Sequence, residues 1–334
     1  MDLYVKEVLV LPAGQRPIRI DKLLCSKLSN ISRMRVQAGI RQGNVRVNGG
    51  DVKVSYQVRP MDKIEILLPY SSRNREIVGE DLPLDIVYED EALVVVNKKA
   101  SMVVHPAHEN WTGTLVNGLL HYFGTLPAMG GDQVRPGLVH RIDKGTSGLL
   151  VVAKTEDSLA YLAHQFYHHT VGRHYIALVW GDVEGEEGTI DKSLGRSSKD
   201  RRVMTVYEDG SGKQASTDYE VIKRFGYVTM VGCKLGTGRT HQIRAHMKYL
   251  GHPLFGDMRY GGDRVLVGPS FAKYKAFVHN CFKVMPHQAL HAASLSFEHP
   301  LRKERMSFEV ELPNAFKEVV ERWERYSKDK RMGG

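Results

Sequence analysis

Cysteine is scarce. The 334 residues contain three, Cys25, Cys233 and Cys281, far apart and odd in number. Neither a disulfide framework nor a CxxC metal pair is available, and a reducing, cytoplasmic setting is expected. No apolar run approaches the roughly 18 residues that a membrane span requires. The opening stretch MDLYVKEVLVLPAGQRP carries an acid at Asp2 and no basic segment before a long apolar one, so no signal peptide is expected. Nothing repeats at a period of about 20 to 50 residues, which excludes solenoid and propeller architectures. Acids are outnumbered, 38 against 47 Lys and Arg, giving a formal charge of +9. That imbalance suits a polyanionic partner, although an ordinary basic enzyme carries a similar charge.

Hydrophobic residues make up 42% of the chain, enough for a substantial core and for more than one domain. A polar, proline-flanked stretch without apolar periodicity, PYSSRNREIVGEDLP, divides a small N-terminal part from a large C-terminal one. The expected boundaries are 1–70, a linker over 71–83, and 84–334.

In the small part, Ser32 is a candidate N-cap, with Ile31 and Val36 placed as a hydrophobic staple. Val36 and Ile40 share one helical face, and Gly43 is a natural stop. Arg33, Gln37 and Arg41 lie on another face, spanning about 12 Å at about 1.5 Å per residue. Arg35, Lys22 and Lys27 add charge nearby, and no acid interrupts Lys22 to Asp51. A helix face of arginines is ordinarily just solvated. This one-sidedness instead points Arg33, Arg35 and Arg41 towards phosphates. Asn48-Gly49 within VRVNGGDVKV marks a hairpin, and DKIEIL supplies a further strand.

The large part begins with DIVYEDEALVVVNKKASMVVHP, which alternates apolar runs and turns as antiparallel strands do. Thr155 caps a helix with Glu156 and Asp157 in its first turn and Leu159, Leu162, Ala163 and Phe166 on its buried stripe. Gly172 is expected to end that helix, and RHYIALVWG follows as a strand. Strands outnumber helices without alternating regularly with them, so the fold class is α+β.

The segment GLVHRIDKGTSGLLVVAKT sets His140, Arg141, Asp143 and Lys144 at the mouth of a strand. A kinase catalytic loop would need a downstream Asn, a Gly-rich strand-turn and a DFG, and a P-loop would need GxxxxGK[ST]; none occurs. Among 15 histidines, His164 and His168 sit one helical turn apart, but no HExxH or third ligand accompanies them, and no metal site is expected. A glycosidase would need a second carboxylate near Asp143, and Asp132 and Glu156 are the nearest in sequence. An isolated aspartate of this kind ordinarily caps a turn or pairs with its neighbour Arg141.

Other segments change that assessment. RIDKLLCSKLSNISRMRVQAGIRQGNVRVNGGDVKVSYQVRPMDKIEI resembles an S4 RNA-binding domain. RPGLVHRIDKGTSGLLVVAKT, RHYIALVWG and LGTGRTHQIRAHMKYLGHPLFGDMRYGG, with LVVVNKKASMVVHPAHENWTGTLVNGLL and QALHAASLSFEHP, resemble the RluA-type pseudouridine synthases. Together these matches run from Arg19 to about Pro313, and the leading S4 segment makes them most similar to the subgroup acting on large-subunit ribosomal RNA.

The resemblance implies an S4 domain followed by a mixed, largely antiparallel catalytic sheet, and no cofactor. Asp143 falls on the catalytic aspartate, Arg141 on the arginine that intrudes into RNA, Tyr175 on the tyrosine that packs against the flipped base, and Arg244 on the basic partner of the aspartate. Aromatic residues in strands are usually core, and a stacked tyrosine serves both ends. RNA contacts are also expected from Arg196, Lys199, Arg201 and Arg202 in SLGRSSKDRRVMTV, and from Arg239. His140 and Lys144 are assigned to phosphates or to the loop itself.

Three departures stand out: Ile142 for the usual Leu, Gly145 where an acid is common, which would loosen the loop, and a longer connection over 261–288. There Ser270 is a candidate cap for a docked helix with Phe271, Tyr274, Phe277, Val278, Cys281 and Phe282 on one face. The expected partner is ribosomal RNA, met free or in an assembling particle, and the expected state is a monomer. The competing reading is a non-catalytic RNA-binding or ribosome-assembly protein using the same surfaces.

Overall fold

The computed structural model describes residues 3–28, 33–69, 77–106, 110–128 and 135–332. Contacts divide the chain into two units, Met1–Glu76 and Ile77–Gly334.

The first unit runs β1 (Leu3–Val10), α1 (Ile20–Lys27), α2 (Arg33–Arg41), β2 (Val45–Val47), β3 (Gly50–Asp51) and β4 (Lys63–Pro69). Its antiparallel sheet has the order β1-β4-β2-β3. Val36 and Ile40 of α2 pack with Leu23, Leu24 and Ile64 in one core. Asn48 (φ 51°) and Gly49 (φ 82°) both take the left-handed backbone that a two-residue hairpin requires, which is why this dipeptide joins β2 to β3. Gly43 (φ 75°) stops the chain beyond α2 as expected. Ile31 and Ser32, the proposed staple and cap, lie outside the described residues.

The second unit contains β5 (Ile86–Glu89), β6 (Leu93–Lys98), α3 (Leu115–Phe123), β7 (Ser147–Ala153), α4 (Glu156–Tyr167), β8 (Gly172–Trp180), β9 (Glu187–Asp191), β10 (Ser193–Arg196), β11 (Met204–Tyr207), β12 (Ser216–Arg224), β13 (Val228–Leu235), α5 (Gln242–Tyr249), α6 (Ala272–Val284), β14 (Leu290–Glu298), β15 (Arg305–Glu309) and α7 (Asn314–Met332). Its main sheet has the order β5-β6-β7-β14-β8-β13-β12-β9, with β15 beside β14. Pairing is antiparallel except between β7 and β14, which meet in parallel at Ser147 and Gly148. The fold is therefore α+β with a largely antiparallel sheet.

The apolar run in β7 reflects burial on both faces. Leu150 and Val152 join one core with Leu115 and Leu119 of α3, while Leu149, Val151 and Ala153 join another with Leu159 and Leu162 of α4. Thr155 caps α4 by accepting a hydrogen bond from the Ser158 backbone N–H.

Three local expectations are corrected. Gly172 does not end α4: the helix closes at Tyr167, His169 takes the left-handed turn (φ 57°), and Gly172 opens β8. A Cβ at Gly172 would lie 2.5 Å from Ser296 Oγ, so close sheet packing explains the glycine. Ser270 does not cap α6, whose N-cap is the exposed Phe271. Tyr274, Val278 and Cys281 are buried, and Phe277 packs on Trp323 and Tyr326 of α7. Residues 77–83, expected within the linker, dock on α3 instead: Asn117 Nδ2 donates to the Val78 carbonyl, and the Glu80 carboxylate accepts from the Gly113 N–H.

Candidate active site

Asp143 stands just before β7, where the Thr146 N–H closes a turn on its carbonyl at 3.0 Å. The residues around it alternate in destination. Ile142 is buried in the core and Arg141 is exposed. His140 stacks on Phe166, and its Nε2 accepts from the Val151 N–H at 3.1 Å. Burial pushes its pKa down to about 3, with Arg173 adding to the effect, so His140 is a neutral support for the loop. Gly145 tightens this loop. A Cβ there would fall 2.3 Å from Gln288 Oε1, and Gln288 donates to Thr146 Oγ1.

Arg244 comes from the opening of α5 and meets Asp143 across 101 residues of sequence, with Nη1 donating to Oδ2 at 2.7 Å. Its Nε and Nη2 form a fork on Asp257 at 2.7 and 2.9 Å, and Asp257 also accepts from the backbone N–H groups of Arg259 and Tyr260. The guanidinium lies over the Tyr260 ring at 4.8 Å. Burial disfavours its charge, but Asp257 and Asp143 more than offset this and raise the pKa further. Arg244 is thus a fixed cation with one N–H reserved for Asp143. Asp143 Oδ1 accepts no hydrogen bond from the described residues.

Asp143, Tyr175, Arg141, Arg239 and Arg244 share a cleft of about 600 Å³ with Arg173 and His241. Such a volume suits a small-molecule or nucleotide site. Tyr175 projects from β8 between Cys233 of β13 and Ala292 of β14. Burial pushes its phenol pKa up, against the pull of Arg173. Arg239 donates from Nε to the Gln214 carbonyl, and Arg141 Nη1 lies 3.3 Å from His105 Nε2.

The other RNA-contact candidates lie elsewhere. Arg196, Lys199, Arg201 and Arg202 are exposed on the β10–β11 ribbon, where Arg202 pairs with Asp200 and Arg196 donates to the Arg201 carbonyl. Arg41 is exposed beside a shallow groove of the first unit, and the Arg35 side chain lies outside the described ones. Arg33 changes most. Its guanidinium is bound to the buried Asp21, which also takes Arg19 and Gln37 Nε2. The acid lies one residue before the stretch that looked free of acids.

Asp257, His241 and Lys98 were not singled out from sequence. Their only local signals are a turn aspartate in GDMRYGG, a histidine two residues after Arg239, and a lysine ending an apolar strand. His241 adopts φ 55°, uncommon for a non-glycine. The Tyr260 hydroxyl accepts from the Met204 N–H and lies 3.1 Å from His241 Nδ1, while His241 Nε2 lies 3.8 Å from Asp143 Oδ2. Burial pushes the His241 pKa down to about 4 despite the attraction of Asp143, so this histidine is neutral. Lys98 donates from Nζ to the carbonyls of Lys99, Met102 and Lys144, tying the turn after Asp143 to β6. Among the described residues, no group of three or more His, Cys, Asp or Glu could hold a metal ion.

A carboxylate clamped in a cationic cleft, on a largely antiparallel sheet, defines a class of RNA-modifying enzyme once the family comparisons are added. A family model described as RNA pseudouridylate synthase matches residues 92–249, and one for the S4 domain matches residues 18–64. A protein of Chlorobaculum parvum named as an uncharacterized RNA pseudouridine synthase is 44% identical, over 92% of this chain and 94% of that one. The ribosomal large subunit pseudouridine synthase D of Zymomonas mobilis is 42% identical, over 88% and 90% respectively. A solved structure, human RNA pseudouridylate synthase domain containing 1, superposes with a TM-score of 0.53 at 27% identity, covering 70% of this chain and 86% of that one. The chain belongs to the RNA pseudouridine synthase family and carries an S4 domain at its N-terminal end.

Proposed function

We propose that this protein converts specific uridines of large-subunit ribosomal RNA to pseudouridine, with Asp143 as the nucleophile toward a flipped-out uridine. The observation that carries the reading is the asymmetric clamp on Asp143: Oδ2 is held by Arg244, itself forked on Asp257, while Oδ1 takes no donor from the described residues. A turn-capping aspartate needs no such support. The relatives named for the large ribosomal subunit support the choice of substrate.

The reaction breaks the N1–C1′ bond, rotates the uracil and joins C5 to C1′; the C5 proton leaves and N1 gains one. The composition of the nucleotide is unchanged, so no external group or redox partner enters the balance. Asp143 Oδ1 forms the covalent intermediate, and Arg244 keeps the carboxylate oriented and offsets the cost of removing it from water. Tyr175 stacks on the uracil, and its hydroxyl, kept protonated by burial, takes the C5 proton only as it passes its own proton on. The target atoms are inaccessible in a stacked helix, so the nucleotide must leave the stack, and Arg141 fills the gap it leaves. The S4 domain and the β10–β11 ribbon contribute phosphate contacts.

Pseudouridine mapping of total RNA from cells with and without the protein tests the assignment, with an Asp143→Asn strain beside them. The expected result is the loss of particular large-subunit pseudouridines in both the deletion and the variant. Retention of every site in the Asp143→Asn strain would remove Asp143 from this role.

A further inference from the structure

Arg173 is the one cleft arginine for which neither a hydrogen bond nor an acidic partner is found among the described residues. It is 8% exposed, and its Nε is buried without a partner. Arg141, Arg239 and Arg244 each have one. The Arg173 guanidinium lies over the Phe166 ring, with Cζ 5.6 Å from the centroid, and reaches Gly238, where a Cβ would sit 2.4 Å from Nη1. Phe166 and Gly238 both line the cleft. An aromatic face and a bare stretch of backbone therefore hold the guanidinium without neutralising it.

A largely buried, unpaired cation loses much of its hydration, and proteins ordinarily avoid one unless something else supplies the counter-charge. Asp143, the acid lining the cleft, is already held by Arg244. The carbonyl groups of a uracil are neutral and offset little of the cost. The anions that RNA brings are its phosphodiesters, and a guanidinium meets phosphate oxygens through paired N–H donors. Arg173 and Tyr175 are two residues apart on β8 and so face the same side, separated by about 7 Å along the strand. That spacing matches one nucleotide, with the base at Tyr175 and the backbone at Arg173.

We propose that Arg173 forms an anion subsite for the phosphodiester adjoining the flipped uridine, which sets how deeply that nucleotide enters the cleft. This rests on the reading that the cleft takes a uridine of RNA. The Arg173 charge is left uncompensated by the described residues and is completed by the substrate.

The test compares wild type, Arg173→Met and Arg173→Lys on a large-subunit RNA fragment carrying a mapped site, with affinity measured between about 50 and 200 mM salt. Arg173→Met should weaken binding about tenfold or more. It should also make the slope of log K against log salt shallower by about 0.7 to 0.9, the value of one phosphate contact. Arg173→Lys should restore the slope. Because the lost charge is unpaired in the free protein, Arg173→Met should melt no lower than wild type. In fragments with single methylphosphonates around the target uridine, one position should weaken wild type and leave Arg173→Met unaffected.

Parallel salt slopes for wild type and Arg173→Met would overturn the subsite, and so would a scan in which every neutralised phosphate weakens both proteins alike. A lowered melting temperature with parallel slopes would instead assign Arg173 to the fold. Turnover of the same fragment by wild type reports on the uridine reading, so failure of that reading and failure of the subsite are distinguishable.

Discussion

Replacing Asp257 with asparagine keeps the side chain's shape and removes the charge that holds Arg244. The pair is almost fully dry, with side-chain exposures of 6% for Arg244 and 1% for Asp257. An amide offers one oxygen to the two N–H groups of the fork and sets its own NH2 against the other. Breaking a buried ion pair from one side costs about 3–5 kcal/mol. Arg244 retains Asp143 as a second partner, so the low end applies, about 3 kcal/mol. For a unit of this size the corresponding fall in melting temperature is about 6–12 °C.

The kinetic consequence is separate. Without its fork, the guanidinium is free to swing towards Asp143, and the carboxylate loses the fixed donor that orients it. Misplacement of a reacting group by about 1 Å costs on the order of a hundredfold in rate. Single-turnover tritium release from C5-labelled RNA should therefore slow by about two orders of magnitude, with RNA affinity unchanged. Arg244→Lys should behave similarly, since one ammonium cannot hold Asp257 by a fork and also reach Asp143. An Asp257→Asn protein that melts and turns over like wild type would refute the clamp.

Tyr175→Phe keeps the stacking face and loses the hydroxyl; it should bind RNA normally and form the covalent intermediate, with tritium release slowed about a hundredfold. Near-wild-type release would leave Tyr175 as a stacking platform alone. Gly145→Ala should displace Gln288 and slow turnover, and Gln288→Ala in the same chain should relieve it; additive losses would show that the close approach is unimportant. Asp21→Asn should destabilise the first unit at neutral pH. Burial pushes the Asp21 pKa up, but Arg19, Gln37 and Arg33 overcome this and hold it well below the usual carboxylate range. The charged form is thus favoured by folding: its contribution is full above about pH 4 and is lost as pH falls through the depressed value. Hydrogen exchange in the first unit should show a gap between wild type and Asp21→Asn at pH 7 that closes in acid, and a pH-independent gap would count against the ion cluster.

Much of the fold was legible because its signals are local. Asn48-Gly49 makes its turn through its own backbone preferences, Thr155 caps α4 through a bond to a residue three positions on, and Val36 and Ile40 share a face by periodicity alone. The misread positions answer to distant neighbours. Gly172 looked like a helix stop, and its reason is Ser296 across the sheet. Gly145 looked like a source of looseness, and its reason is the packed Gln288. A glycine in a sequence marks that something about the backbone is special, and not whether that is a turn or a close approach.

The same limit decides what could be read of the cationic residues. Arg33 stood in a stretch without acids and was read as facing phosphate; the fold ties its guanidinium to Asp21, twelve residues earlier, with the side chain still half-exposed. Arg173 stood in an apolar strand and attracted no attention, yet among the described residues it is the buried guanidinium without an acid. A list of charges along the chain records where cations are attached, whereas their availability depends on which acids the fold brings across. Asp143 and Arg244, 101 residues apart, were linked through the family resemblance, and the resemblance said nothing of Asp257 behind them. A cation whose counter-charge comes from the substrate can be found only after every partner within the protein has been assigned, and that assignment requires the three-dimensional structure.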